Sequence, residues 1–393
     1  MMRAVLGVLA AAVIALVPLT APSVAQAQVE PVSMMLAGGP TSASDATPVQ
    51  LDADVYIPDV TPAPAVLLAH GFGGSKEGVA EEAQALADSG YVVLAYTARG
   101  FGASTGSISM NSPDFEIADA RALVDYLGSL ASVSSEAPGD PVVGVGGGSY
   151  GGALALMLAG YDERIDAVVA DITWNDLETS LFAQSRVEGV QPGVLKSLWT
   201  SLFFSSGLGL EPGQPVSECG RFTPEWCAAY VEAVTQGTVS PEASALMERS
   251  SPRSITERIT APVLLGAGQA DSLFPLTQAN ANAEQIVNAP VKVVWHAGGH
   301  DGGIAETDRL RALSQAWFDE HLRGGPAVGE AFEVSLVEAS ALSDRDPGTV
   351  EVLSSPTYPG LFGDGTTAKA VAAPAQQGLA PAGGGRPPPA GSE

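Results

Sequence analysis

The sequence predicts an α/β fold in which a mostly parallel sheet is covered by helices on both faces. Strand-like and helix-like patterns alternate from residue 50 to residue 322, as they do in folds built from successive strand–helix units. The strand-like runs are short and almost wholly apolar, as expected of parallel strands that are buried on both faces. A glycine-rich turn at 146–152 joins one of these strands directly to a helix.

The predicted elements follow each other regularly along this part of the chain. Short apolar runs predict sheet strands at 65–69, 91–96, 142–145, 167–170, 262–265 and 291–295. Helical patterns between and after them predict helices at 77–89, 113–130, 150–159, 276–288 and 305–322. The third of these helices begins directly after Ser149.

One connection is too long for a simple loop. Between 174 and 259 the alternation stops, which predicts an inserted, mostly helical cap on a core formed by 28–173 and 260–324. The aromatic run at 198–204 either packs within this cap or lines a substrate pocket, and apolar residues at helical spacing more often pack. Residues 325–393 form a C-terminal extension with a strand-like run at 331–337 and a low-complexity end that predicts disorder.

The N-terminus has the pattern of an export signal. A basic start ending at Arg3 precedes an apolar run at 4–19, and Ala25-Gln26-Ala27 resembles a cleavage site. We expect a signal peptide at 1–27, cleavage near Ala27 and a secreted or extracytoplasmic protein. A retained membrane anchor is the alternative, but the apolar run is short for a membrane span.

The charge of the chain limits its partners. The formal net charge is −26, and removal of 1–27 takes away only Arg3, so that −26 − 1 gives −27 for the mature chain. A surface of this sign repels nucleic acid and anionic membranes. We therefore expect a small-molecule ester or peptide substrate, no nucleic acid partner and no membrane association after signal cleavage.

Cys219 and Cys227 are the only cysteines in the chain. In an exported protein they are expected to form a disulfide, with free buried thiols or a metal site as alternatives. The four histidines are dispersed, and there is no HExxH spacing, so neither a metal nor an organic cofactor is expected.

The glycine-rich turn is compatible with two different chemistries. Gly146-x-Gly148-x-x-Gly151 matches a dinucleotide fingerprint, and Asp171 stands where such folds place a ribose-binding acid. The same turn contains Gly147-x-Ser149-x-Gly151, the nucleophile elbow of α/β-hydrolases.

The rest of the chain favours the hydrolase. A hydrolase needs an acid after a later strand, a histidine after the last strand and an oxyanion donor after an early strand. Asp271, His300 and the loop at 70–74 stand at these positions. The dinucleotide loop would normally follow the first strand, and that interpretation leaves the other three positions unexplained.

Each candidate residue has a predicted role. Ser149 attacks the acyl carbon, His300 takes the serine proton and returns it to the leaving group, and Asp271 orients the imidazole. The backbone N–H groups of Phe72 and Tyr150 bind the oxyanion.

Other residues compete for two of these roles. Asp171 also ends a strand and is the rival acid, while Asp301, next to the histidine, is poorly placed to reach its ring. His70 lies in the oxyanion loop, His296 at the end of a strand, where we expect it to pack, and His321 on the last helix.

These residues resemble the α/β-hydrolase superfamily and, within it, the branch of X-prolyl dipeptidyl peptidases and cocaine-esterase-like acyl esterases. The resemblance covers roughly 50–325. The motifs that carry it are GGSYGG at 147–152, ARGFGAS at 98–104, Asp271 and Gly299-His300. It implies hydrolysis of an ester or amide through an acyl-enzyme, and a catalytically inactive secreted binding protein on the same fold is the alternative.

The chain departs from this branch in two places. Members commonly supply one oxyanion donor from a tyrosine hydroxyl, where this chain has His70-Gly71-Phe72. The resemblance also implies a three-part architecture in which a β-sandwich domain follows the hydrolase; in this chain, 325–393 would be an incomplete remnant of that domain. A dipeptidyl peptidase needs an anion for the substrate's ammonium group, and the candidates in the cap are Asp176, Glu178 and Glu188.

Overall fold

A computed structural model of the protein describes residues 28–183, 193–207, 219–337 and 350–361. Its strands are β1 (Val32–Ser42), β2 (Asp45–Tyr56), β3 (Ala65–Ala69), β4 (Val92–Tyr96), β5 (Ser135–Ala137), β6 (Asp140–Pro141), β7 (Val143–Gly148), β8 (Ile165–Asp171), β9 (Phe182–Ala183), β10 (Val194–Leu195), β11 (Val263–Gly268), β12 (Val291–His296), β13 (Phe332–Val337) and β14 (Val350–Ser355). Its α-helices are α1 (Ala80–Asp88), α2 (Glu116–Ser129), α3 (Tyr150–Tyr161), α4 (Leu177–Leu181), α5 (Ser197–Gly207), α6 (Pro224–Gln236), α7 (Pro241–Arg249), α8 (Leu276–Gln285) and α9 (Thr307–Arg323). Short 3₁₀ helices cover Lys76–Val79, Pro252–Ser254 and Thr256–Arg258.

The predicted mostly parallel sheet is confirmed. Ten strands pair in the order β1-β2-β4-β3-β7-β8-β11-β12-β13-β14. Pairing is parallel from β4 through β13 and antiparallel at both edges. The carboxyl ends of the parallel strands therefore meet along one edge of the sheet, where α/β folds place their ligands.

Helices cover both faces of this sheet. On one face α2, α3 and the helices between β8 and β11 contribute to a buried cluster, and on the other face α1 and α9 do. Helix α3 is buried along almost its whole length, from Tyr150 to Ala159, because it lies between the sheet and neighbouring helices. This explains why its sequence is apolar on all sides rather than on one stripe.

The antiparallel hairpin of β1 and β2 is absent from the prediction. Two glycines and a proline interrupt β1, and its register with β2 shifts at Pro40. The glycines are needed because a Cβ on Gly38 would lie 2.4 Å from a carboxylate oxygen of Asp119. The N–H of Gly39 donates to the same carboxylate at 2.6 Å. The two glycines, which make this segment unlike a strand in the sequence, are thus explained by its close contact with α2.

The C-terminal strand-like run forms β13, which pairs in parallel with β12. Strand β14 then pairs antiparallel with β13, so both strands extend the main sheet. The division of the chain into core, cap and C-terminal extension remains an interpretation. The predicted signal peptide at 1–27 and the low-complexity end, roughly the last 25 residues, lie outside the described residues.

The connection between β8 and β11 contains helices α4 to α7 and the disulfide. Cys219 and Cys227 are bonded, with their Cα atoms 5.4 Å apart, as predicted. The disulfide loop is held against the segment between β4 and α2, since Ile108 of that segment exchanges backbone hydrogen bonds with Arg221 and Thr223. Of the helices in the described ranges, none combines the length and the apolar character needed to cross a membrane.

Candidate active site

Ser149 lies at the tight turn between β7 and α3. Its backbone has φ 55° and ψ −117°, a conformation that costs about 1–3 kcal/mol for a residue other than glycine. The turn has no room for side chains beside the serine, because a Cβ on Gly147 would lie 2.6 Å, and one on Gly151 2.1 Å, from the carbonyl oxygen of Ala69. The glycines thus allow a strained serine to stand at the carboxyl edge of the sheet.

A chain of hydrogen bonds links Ser149 to the two predicted partners. The hydroxyl of Ser149 is 2.9 Å from Nε2 of His300, and Nδ1 of His300 is 2.6 Å from Oδ2 of Asp271. Because a carboxylate only accepts hydrogen bonds, Nδ1 carries the proton and Nε2 offers its lone pair to the serine. Asp271 is itself held by the N–H of Phe274, which donates to Oδ1 at 2.7 Å.

The loops that carry Asp271 and His300 are joined through their backbones. The N–H of Ala270 donates to the carbonyl of Gly298, and that of Asp301 to the carbonyl of Ala270. Gly299 has a φ of 155°, and a Cβ there would lie 2.2 Å from the carbonyl oxygen of Ala270. A glycine before His300 is therefore needed for the close approach of the two loops.

Two aromatic rings hold the imidazole of His300. The ring of Trp199, from α5, meets it edge to face at 5.8 Å, and the ring of Phe274 does so at 5.3 Å. The indole N–H of Trp199 points to the hydroxyl of Ser272 at 3.3 Å. Neither Trp199 nor Phe274 is among the predicted site residues; the aromatic run at 198–204 was the available signal for Trp199, and Phe274 had none.

The loop at 70–74 lies against the serine. A Cβ on Gly71 would be 3.9 Å from the Cβ of Ser149, and the ring of Phe72 packs edge to face on Tyr150 at 5.5 Å. Tyr150 is the first residue of α3, so its N–H has no partner within the helix. The structure thus brings both predicted oxyanion donors to the neighbourhood of Ser149, and their role stays a prediction.

His70 fixes the shape of this loop. Its Nε2 accepts the N–H of Ala98 at 2.9 Å, and its Nδ1 is 2.7 Å from the carbonyl of Gly71, to which it donates. The ring is therefore neutral in this arrangement. Burial lowers the pKa of His70, which favours that state.

The rival acid and one rival histidine pair with each other. Nε2 of His296 is 3.0 Å from Oδ1 of Asp171, so neither contributes to the hydrogen bonds of His300. Burial opposes a charge on His296, but the hydrogen bond and charge of Asp171 outweigh it and raise the pKa of His296. His321 packs on the ring of Trp317 at 4.2 Å, and Asp301 binds the hydroxyl of Ser272.

Two predicted anchors for an ammonium group are already engaged. Asp176 caps α4 by accepting the N–H of Glu178 and pairs with Arg253 at 2.8 Å. Glu178 accepts a hydrogen bond from the hydroxyl of Ser244. Glu188 lies outside the described residues. Within those residues no group of three or more histidine, cysteine, aspartate or glutamate side chains is arranged to hold a metal ion.

Comparison with known proteins assigns the family. A family model for X-Pro dipeptidyl-peptidases (S15) matches residues 45–302, more than half of the chain. The chain belongs to this family. The fold is accordingly that of the α/β-hydrolases, and the dinucleotide-binding interpretation of 146–151 is wrong. The protein is a serine hydrolase that acts on ester or amide bonds of small-molecule or peptide substrates.

Individual relatives are distant. The chain is 26% identical over 273 residues to the quorum-quenching protein AidA of Acinetobacter baumannii, covering 65% of this chain and 86% of that protein. Among solved structures it is similar to a Pyrococcus horikoshii acylaminoacyl peptidase, with a TM-score of 0.51, 16% identity and coverage of 78% of this chain and 43% of that one. A puromycin hydrolase gives a TM-score of 0.52 at 16% identity, with 77% and 40% covered. At these identities the structures show the fold alone.

Proposed function

We propose that the protein is a secreted serine hydrolase that cleaves its substrate through an acyl-enzyme formed on Ser149. The observation that carries the proposal is the continuous hydrogen bonding from Ser149 through His300 to Asp271 at a strained turn. Such strain persists where the surrounding structure imposes it, and it is common at functional residues.

The mechanism follows from the donors and acceptors at each atom. The hydroxyl of Ser149 attacks the acyl carbon while its proton passes to Nε2 of His300, and Asp271 stabilises the resulting imidazolium. The N–H groups of Phe72 and Tyr150 bind the oxyanion of the tetrahedral intermediate. His300 then protonates the leaving alcohol or amine, and a water molecule activated by the same imidazole releases the acid.

Labelling with a fluorophosphonate tests this proposal. We expect a single modification on the peptide that contains Ser149, and none in Ser149→Ala with the same thermal unfolding curve. A folded wild-type protein that remains unlabelled and inert to esters and anilides would favour the inactive binding protein instead.

Secretion is the second part of the proposal. It is supported by the N-terminal pattern at 1–27 and by the disulfide between Cys219 and Cys227, since disulfides persist in oxidising compartments. N-terminal sequencing of the protein recovered from the culture medium or periplasm should begin near Gln28. Recovery of an uncleaved chain from the membrane fraction would point to a retained anchor.

A further inference from the structure

An apolar cavity in two adjacent parts lies between Ser149 and the helices that connect β8 and β11. The part next to Ser149 is small, about 10 Å³, and a larger part of about 70 Å³ lies behind it. Both parts are lined by Met110, Leu181 and Phe203, so they are adjacent. The larger part has room for several groups of the size of a water molecule.

The lining of the larger part is almost entirely apolar. Phe222, Trp226 and Met247 are among its walls, and no charged side chain of the described residues lines it. Of its polar side chains, Thr200 is satisfied by the backbone carbonyl of Lys196, and Tyr230 places its ring on that of Phe204, with the ring centres 3.9 Å apart. The cavity therefore offers little to a charged or strongly polar ligand.

An ammonium group would be poorly accommodated here. Asp176 and Glu178, the anions of the cap predicted to receive one, are engaged by Arg253 and Ser244 and do not line either part of the cavity. Burial of an unpaired charge is costly because the hydration of the ion is lost without compensation. The cavity thus disfavours the free N-terminus that an X-prolyl dipeptide would bring.

A strained loop lines both parts of the cavity where they adjoin. Met110 and Asn111 have φ values of 55° and 61°, and Asn111 donates its side-chain amide to the carbonyl of Tyr150 at 2.9 Å. The buried carboxylate of Glu116 accepts the N–H groups of Ser109 and Ser112 on either side. The loop holds the flexible side chain of Met110 at the junction of the two parts, where a methionine can adapt to the shape of a ligand.

We propose that this cavity binds the acyl group of the substrate and selects uncharged, apolar acyl chains. This inference rests on the proposed function, since it requires an acyl-enzyme on Ser149. Each methylene that enters the cavity adds its free energy of transfer from water to the free energy of binding. If this energy is realised in the transition state, kcat/KM rises about fourfold per methylene until the cavity is full.

A series of p-nitrophenyl esters tests the inference on the wild-type protein. We expect kcat/KM to rise from acetate through butyrate to hexanoate, and to be far lower for alanyl-prolyl p-nitroanilide. A flat series, or a preference for the anilide, would overturn the inference.

A filled cavity provides the matched test. Ala233 of α6 is buried and lines the larger part of the cavity, whereas Ala228 of the same helix is exposed. Ala233→Phe should lower kcat/KM for hexanoate by at least about tenfold, the gain of two methylenes, and leave acetate hydrolysis within about threefold. Ala228→Phe should change neither substrate.

A second variant keeps the test valid if Ala233→Phe does not fold. Met247 lines only the larger part of the cavity, so Met247→Ala enlarges that part and should shift the preferred ester from hexanoate towards octanoate; an unchanged chain-length profile would count against the cavity. Fluorophosphonate labelling distinguishes failure of the acyl-cavity proposal from failure of the proposed function. A protein that labels on Ser149 but shows no chain-length dependence refutes the acyl cavity, whereas a folded protein that neither labels nor hydrolyses any ester refutes the proposed function.

Discussion

Replacement of Asp271 by asparagine should disable the site by changing the tautomer of His300. Oδ1 of Asp271 accepts the N–H of Phe274 at 2.7 Å, whereas Oδ2 accepts the backbone N–H of His300 only at 3.3 Å, so we expect the amide oxygen of an asparagine to keep the shorter bond at Oδ1. The amide NH₂ then takes the place of Oδ2, which faces Nδ1 of His300. Because NH₂ donates, Nδ1 must accept, and the ring proton moves to Nε2.

The expected loss is large because the serine proton then has no acceptor. With Nε2 protonated, His300 points a donor at the hydroxyl of Ser149 and cannot act as a general base. A wrong tautomer of this kind lowers kcat by about 10⁴ in a serine protease triad, equivalent to about 5 kcal/mol of transition-state stabilisation. The assay is p-nitrophenyl butyrate hydrolysis at saturating substrate, with thermal unfolding recorded in parallel.

Asp171→Asn is the matched control. It breaks the pair with His296 but leaves the Ser149–His300–Asp271 hydrogen bonds intact, so kcat should stay within about tenfold while stability falls by about 1–3 kcal/mol. If a folded Asp171→Asn protein loses about 10³ in kcat while Asp271→Asn remains active, Asp171 is the acid and the reasoning is wrong.

Four further outcomes follow from the packing. Gly151→Ala should prevent folding, since its Cβ would lie 2.1 Å from a backbone oxygen of β3, whereas Gly78→Ala has open space and should be neutral. Arg99→Met should cost about 3–5 kcal/mol in urea unfolding, because it leaves Asp119 buried and unpaired. Burial raises the pKa of Glu116 from 4.5 to about 7 in the folded protein. The folded protein therefore keeps the proton of Glu116 at pH values where the unfolded chain loses it, and deprotonation above pH 4.5 destabilises the fold. The free energy of unfolding of the wild type, relative to that of Glu116→Gln, should fall by about 3 kcal/mol between pH 4.5 and 7. Reduction of the disulfide should cost at most about 3 kcal/mol and impair hexanoate hydrolysis more than acetate hydrolysis.

Each of these has a clear contrary result. A stable Gly151→Ala protein would mean that the turn differs from the one described. If adding Asp119→Leu to Arg99→Met recovers no stability, the buried pair does not explain the loss. A pH-independent difference at Glu116 would show that its carboxyl is not shifted, and equal activity losses on both esters after reduction would indicate global unfolding.

The core was predictable because its strands are short, buried and separated by helices. Strand β3 coincides with the predicted 65–69, and the runs that became β4 and β12 agree to within one residue at each end. The order of Ser149, Asp271 and His300 was enough to select the residues that the structure brings together, since all three follow strands whose carboxyl ends meet at one edge.

Other features depend on contacts that a linear pattern does not contain. Strand β1 is broken by glycines whose purpose is visible only when Asp119 of α2 lies beside them. In the sequence, Asp171 is a rival candidate for the catalytic acid and His296 for the catalytic histidine. Only the register of β8, β11 and β12 shows that these two side chains form a hydrogen bond with each other. Helical spacing in 198–204 was compatible with packing or with a pocket; Trp199 and Phe203 contribute to the site and its cavity.

The central claim is that Ser149 forms a covalent acyl intermediate, and rapid-quench kinetics tests it most directly. With p-nitrophenyl hexanoate in excess, the account predicts a burst of about one equivalent of p-nitrophenol per protein, provided that deacylation is the slower step. Protein quenched during the burst should carry one hexanoyl group on the peptide that contains Ser149, and Ser149→Ala should show neither signal. Turnover that persists in Ser149→Ala, or an acyl group found on another residue, would contradict the account.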